Sequence, residues 1–206
     1  MFKILQYDKP VNNGEKTFGA SALMRKLFVE WVSVIGIALI VAIFIRVFLL
    51  QQFYISGPSM ETTMFTNNRV LVNKLAYRIG DVKRGDVVVF DRSTVNGNDV
   101  VHDDLIKRVI ALGGETISIK SCIVYINGAI LPEPYLPARD VEMTDPQDRC
   151  STVDIADMVI PQGEFFLMGD NRPQSFDSRM FGPITREMIV GRAFVIIWPV
   201  TQWRFL

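Results

Sequence analysis

From Trp31 to Leu50 the chain reads WVSVIGIALIVAIFIRVFLL, an apolar run whose one charge, Arg46, lies near the far end. As an α-helix these 20 residues span about 30 Å, the thickness of a bilayer's hydrocarbon core. Arg46 reaches the polar interface along its aliphatic stem. A cleavable leader fits less well, because the lead before the run is long, the run exceeds the roughly 7–15 apolar residues of such leaders, and no small-x-small site directly follows it. A buried core helix would show a polar stripe over this length. The pattern predicts an uncleaved membrane anchor at 28–50, behind a polar tail over 1–27 with little structure of its own.

Beyond residue 50 the pattern turns to short apolar runs of β type. NRVLVNKL, GDVVVF, TISIKSCIVYING, GEFFLMGD and GRAFVIIW are rich in Val, Ile, Leu and Phe and are punctuated by Gly, Asn and Asp. Asn127-Gly128 is a turn signal. A helical period is confined to the short REMIV stretch at 186–190. The expected fold is mainly β: a single N-terminal transmembrane helix, then a coiled or barrel-like all-β domain over 51–206. Within it, the Pro-rich residues 131–162 read as a surface excursion between strands.

Charge adds orientation. Lys and Arg total 22 against 22 Asp and Glu, so no basic face attracts nucleic acid over long range. Arg25 and Lys26 precede the apolar run, whereas the first cation after Arg46 is Arg69. The positive-inside rule then keeps the N-terminus in the cytoplasm and sends the domain outside. The two cysteines, Cys122 and Cys150, are either one disulfide or two small hydrophobes, and spacing leaves both open. One histidine and two distant cysteines offer no convincing metal-ligand set, and no cofactor is implied.

Candidate chemistry begins at YISGPSMETT, residues 54–63, which sets Ser59 in a turn just past the apolar run. A serine hydroxyl needs a base to become a nucleophile. His102, in the polar NGNDVVHDD stretch beside Asp103 and Asp104, admits a triad by inventory but reads first as a solvated residue. DLIKRVIALGGE offers another base. On a strand, Lys107 shares a face with Leu105 and Val109, while Arg108 shares the other with Ile106 and Ile110. Lysine can answer burial by losing its proton and arginine effectively cannot, so a buried Lys107 is a plausible neutral base. Equally, its stem can pack while its head reaches water. Arg84-Gly85-Asp86 reads as the turn opening a strand rather than an adhesion motif.

SGPSM, RGDVVVF, LIKRVIALGGE and GEFFLMGDNRPQSFDSRMFGPI follow one another in that order after the apolar run. Together they resemble the motif set of bacterial type I signal peptidases, from the anchor to about residue 198. The resemblance implies a serine endopeptidase of the bacterial inner membrane with its catalytic domain on the periplasmic side, acting on exported preproteins after small-x-small sites. It makes Ser59 the nucleophile, Lys107 the base, and Ser175 the hydroxyl that orients the lysine. It makes Asp177 and Arg179 a supporting charge pair, with Gly169 and Asp170 at the approach to the site. Many relatives carry a serine oxyanion donor where this chain has Gly57, and other branches carry glycine; Ser56 is one place out of register. The bilayer and preproteins are the implied partners, and the oligomeric state stays open, since an apolar rim suits lipid contact or dimerisation alike. Two other readings share parts of this pattern. A serine–lysine self-cleaving repressor would need a DNA-binding module in place of the anchor, and a non-catalytic membrane-tethered β domain would tolerate loss of Ser59 and Lys107.

Overall fold

The computed structural model describes residues 18–44, 49–96, 99–136, 150 and 154–206. The chain divides into two units, Met1–Phe44 and Ile45–Leu206. In the first, helix α1 runs over Phe18–Phe44. It starts ten residues before the boundary expected at 28, so part of the expected polar tail is helical. The segment ASALMRKL is made of strong helix formers that carry the helix back beyond the apolar run. The stretch Leu23–Ile43 of α1, 21 residues, is long and apolar enough to cross a membrane, and none of it is buried within the protein. The far end of the expected anchor differs too, because Leu50 already opens the first strand.

The second unit is β throughout, apart from short helical turns. β1 is Leu50–Tyr54 and β2 Arg69–Asn73. Helix α2, Ala76–Ile79, leads to the long hairpin β3 Val87–Asn96 and β4 Asp99–Leu112. Then come β5 Thr116–Lys120, β6 Ile123–Ile126, β7 Ala129–Ile130, β8 Ile155–Val159 and β9 Glu164–Met168. Helix α3, Ser178–Phe181, precedes β10 Ile184–Thr185, β11 Ile189–Trp198 and β12 Arg204–Phe205. The large sheet pairs in the order β1-β2-β11-β3-β4-β9-β10, with β12 on β11; the small sheet runs β7-β6-β5-β8. The mainly β domain behind one apolar helix is therefore as expected.

Alternation explains the strands. Val70 and Val72 of β2 are buried while their neighbours are half-exposed, and they join Val87, Val89, Ala193 and Ile196 in one core cluster. Val88, Phe90 and Val109 point the other way, into a second cluster with Leu167 and Ile184. A third cluster lies under the small sheet around Ile110, Ile117, Ile119 and Phe166. The large sheet is thus covered on both faces where β3 and β4 cross its middle.

Three expectations change. TISIKSCIVYING is a hairpin, not one run: it breaks at Ser121 and Cys122, both left-handed at φ 49° and 63°. The excursion at 131–162 contains β8, which pairs with β5; residues 137–149 and 151–153 of it lie outside the described residues. REMIV makes a single 3-10 turn at Arg186–Met188 before β11 takes over. The open question of the cysteines is answered: Cys122 and Cys150 are bonded, their Cα atoms 5.7 Å apart.

The bridge closes a chain separation of 28 residues. Loop-closure entropy for that length predicts that reduction, or Cys122→Ser, lowers the unfolding free energy by about 3.6 kcal/mol. Urea denaturation with and without reductant checks this, and an unchanged midpoint would show that the bridge constrains nothing.

Candidate active site

The segment between β1 and β2 is held by its methionines. Met60 and Met64 are fully buried with Ile55 in the Val70–Val72 cluster, a burial worth about 1.5–3 kcal/mol for each side chain. Backbone bonds from Met64 N–H to Met60 O (2.7 Å) and from Ile55 N–H to Asn68 O (2.9 Å) close the turn. With Met60 drawn inward, the preceding Ser59 is left half-buried at the surface of the loop. Gly57, two residues earlier, sits at φ 91°, a conformation that side-chain-bearing residues avoid. It supplies no side-chain donor. The backbone N–H of Ser59 itself donates to nothing among the described residues.

Lys107 comes to Ser59 from β4. It pairs across β3 with Val88 and is only 3% exposed. β9 joins β4 from Arg108 onward, so among the described residues the β4 edge at 105–107 faces no strand on that side. Lys107 Nζ lies 2.9 Å from Ser59 Oγ and donates at 2.9 Å to Ile106 O. Burial lowers its pKa from the ordinary 10.5 to about 8; Asp177 opposes that shift, Arg179 adds to it, and Asp170 opposes it more weakly.

His102 plays no part in this contact. It lies on strand β4 rather than in a loop, exposed, with Nδ1 2.8 Å from Asp91 Oδ2 and 3.1 Å from Ser93 Oγ. Asp103 and Asp104 are exposed beside it.

The backbone at 169–171 closes the site from behind. Asn171 N–H donates to Ser59 O at 3.1 Å. A Cβ on Gly169 would collide with that same carbonyl and would lie 2.6 Å from Ser175 Cβ, so the position needs glycine. Gly169 N–H donates at 3.0 Å to Asp177 Oδ2. Asp177, wholly buried, is held by Arg179 through Nε (2.7 Å) and Nη2 (2.8 Å) and also caps α3 at the Arg179 N–H. The Asp177–Arg179 pair thus stands where a support was expected. Ser175 is brought to the same corner, but its Oγ is buried without a hydrogen-bond partner, and the expected bond to Lys107 is not among those formed.

Several residues here were not anticipated. Asp170 is more than an approach to the site: it takes a bidentate pair from Arg108 (Nε–Oδ1 2.8 Å, Nη2–Oδ2 2.6 Å) and a bond from Thr63 Oγ1. Arg108 also reaches Gly85 O at 2.9 Å and lies over the Tyr135 ring. Arg172 donates to Gly169 O at 3.0 Å and pairs with Glu133, both buried. The burial of an arginine next to Lys107 was a signal available in the apolar company on both faces of β4, whereas nothing in the Pro-rich LPEPYL stretch marks Glu133. Among the described residues no group of three His, Cys, Asp or Glu side chains is placed to hold a metal ion.

The family model described as signal peptidase, peptidase S26, matches residues 28–198. The chain belongs to the signal peptidase family. It is 37% identical over 165 residues to a probable signal peptidase I-2 of Synechocystis, covering 80% of this chain and 71% of that one. It is 35% identical over 181 residues to signal peptidase I S of Bacillus subtilis, covering 87% and 94%. Among solved structures, a signal peptidase I from Enterococcus faecalis V583 aligns with a TM-score of 0.42 at 28% identity, over 55% of this chain and 97% of that one. The signal peptidase described here is accordingly a peptidase that removes signal peptides from preproteins, and the one apolar helix among the described residues fits a membrane anchor.

Two substitutions test the packing behind Ser59. Gly169→Ala is expected to lower both kcat/KM and Tm, because its Cβ has no room beside the Ser59 carbonyl. Arg108→Met strands the buried Asp170 carboxylate and should cost about 3–5 kcal/mol of stability. Thermal unfolding and preprotein cleavage measure both, and a wild-type Tm for either variant contradicts the packing.

Proposed function

We propose that this signal peptidase cleaves with a Ser59–Lys107 dyad, and the observation that carries the reading is the 2.9 Å Nζ–Oγ contact of a lysine that is 3% exposed. A neutral amine has two N–H donors and one lone pair. With one N–H on Ile106 O, the lone pair is free to take the Ser59 proton as Oγ attacks the scissile carbonyl. The unused Ser59 N–H is an oxyanion donor. With Gly57 offering no hydroxyl, a second donor has to come from backbone or water. The acyl-enzyme formed on Ser59 is then hydrolysed, with Lys107 again managing the proton.

The remaining assignments belong to the same reading. Asp177 and Arg179 fix Gly169, and through it the Ser59 carbonyl, while Ser175 is the hydroxyl available to orient Lys107 once substrate is bound. The open β4 edge at 105–107 and the chain near 54–58 accept the substrate as an added strand. Small pockets beside them take Ala-x-Ala-like side chains. The N-terminal tail is cytoplasmic and the domain after the anchor acts on the outer side, in line with Arg25 and Lys26 preceding the helix's apolar part.

Purified enzyme acting on a precursor with an Ala-x-Ala site tests this. Ser59→Ala and Lys107→Arg are each expected to lower kcat/KM by more than about 10³-fold, the arginine because it cannot give up its proton. The parent kcat/KM should rise with pH and level off above about 8, since the base works only when unprotonated. His102→Ala should behave as the parent. Cleavage by Ser59→Ala at the parent's bond, or a rate that follows His102, would refute the dyad.

A further inference from the structure

LPEPYL, residues 131–136, leaves the small sheet after β7 and carries two side chains to the arginines behind Ser59. Its backbone is tied down. Leu131 N–H donates to Val124 O at 2.9 Å, and Leu136 N–H to Glu133 O at 3.1 Å. Pro134 takes the second place of the turn so closed, where a ring-fixed φ suits it. Leu131 and Tyr135 pack against the cluster around Ile110 and Phe166. From this base the Glu133 carboxylate takes both terminal nitrogens of Arg172, Nη1 on Oε2 at 3.2 Å and Nη2 on Oε1. The Tyr135 hydroxyl donates to the same Oε1 at 2.9 Å, and Arg108 Cζ lies 4.0 Å from the centre of its ring. Burial, and then the Glu133 carboxylate, push the Tyr135 pKa up, so the phenol stays a donor.

The two arginines so gripped hold consecutive residues of the backbone that closes the site. With its terminal nitrogens taken, Arg172 has Nε left to donate to Gly169 O at 3.0 Å. Arg108 holds the Asp170 carboxylate through Nε and Nη2. Asn171, next in the chain, donates its N–H to Ser59 O at 3.1 Å. An arginine on its long stem has many rotamers to choose from, and a fork-to-fork carboxylate leaves it one direction. Neutralising Arg172 would need a single contact, whereas the two-oxygen grip, the hydroxyl on Oε1 and the ring under Arg108 fix orientation. Among the described residues the Glu133 side chain bonds to Arg172 and Tyr135 and not to Ser59 or Lys107, so whatever it does for the reaction it does at one remove.

We propose that Glu133, steadied by Tyr135, is a positioning residue for peptide cleavage. Through Arg172 it sets the backbone at 169–171, and through the Asn171 N–H it sets the angle at which Ser59 is presented to Lys107. The inference rests on the reading of Ser59 and Lys107 as the dyad.

The experiment uses the full chain in detergent and a precursor with an Ala-x-Ala site, with the folded fraction read by near-UV circular dichroism well below Tm. Glu133→Gln keeps the volume and one oxygen but gives up the two-oxygen grip. Its kcat per folded molecule should fall by about 10–10²-fold with KM within about twofold, as expected when reacting groups are misplaced and binding is not. The rise of kcat/KM towards pH 8 should stay in place, because the charged groups that shift the Lys107 pKa are Asp177, Arg179 and Asp170. Tyr135→Phe removes the hydroxyl on Glu133 and keeps the ring over Arg108; its kcat should fall in the same direction and less, and it carries the test if Glu133→Gln does not fold. A parent-like kcat in the folded variant, whatever its Tm, overturns the proposal and leaves Glu133 a role in stability alone. So does a change in KM alone, which would put Glu133 in substrate binding, and so does a displaced pH limb, which would make it a charge acting on Lys107. Ser59→Ala runs alongside: cleavage by it removes the dyad on which the proposal stands, whereas an inactive Ser59→Ala beside a fully active Glu133→Gln sinks the proposal and spares the dyad.

Discussion

An amine stripped of water holds its proton poorly, and the arrangement around Ser59 depends on that fact. Lys107 is buried, paired from β4 with β3 and set against the Ser59 loop, and burial is the largest influence on its pKa. The same enclosure sets its direction. One hydrogen goes to the carbonyl of the preceding residue, which leaves the remaining reach of Nζ for Ser59 Oγ. A more solvated lysine would stay charged and could not serve as the base proposed for Ser59.

Charged neighbours oppose this without overturning it. Asp177 and, more weakly, Asp170 raise the pKa of Lys107 and Arg179 lowers it, so burial prevails; each carboxylate is itself bound by an arginine, Arg179 and Arg108 respectively. Such buried pairs add little net stability, because desolvation of both ions offsets their attraction. Their use here is geometric and electrostatic. Asp177 fixes the Gly169 N–H, Arg172 fixes the Gly169 carbonyl, and the chain between them is held against the Ser59 carbonyl without surplus charge.

Much of this was legible in the chain. The alternation in LIKRVIAL gave the apolar company of Lys107, and the Val-rich runs gave β2 and β11 nearly as they fold but only the first part of β3, which continues to Asn96 through polar residues. Arg108 was harder, since alternation assigns it to a face without saying that Tyr135 and Asp170, the latter 62 residues away, cover that face. Glu133 and Arg172 are 39 residues apart and meet only through the packing of the small sheet's edge against the site. The Ser121-Cys122 turn was missed because neither residue is a glycine or asparagine, so no local preference announces two left-handed residues. Ser175 came from resemblance alone, and its buried, unpaired hydroxyl is a detail that local pattern does not carry.

The position of β11 in the large sheet has a further consequence. β2, which follows the Ser59 loop, and β3, which leads into the strand of Lys107, do not pair with each other; β11 lies between them. The strand that joins the two halves of the sheet therefore follows both of them in the chain. Until Ile189–Trp198 is inserted, Ser59 and Lys107 sit on two antiparallel pairs with no shared ladder. The contact between them is thus a long-range one, completed only when a strand that follows both in the chain takes its place between β2 and β3.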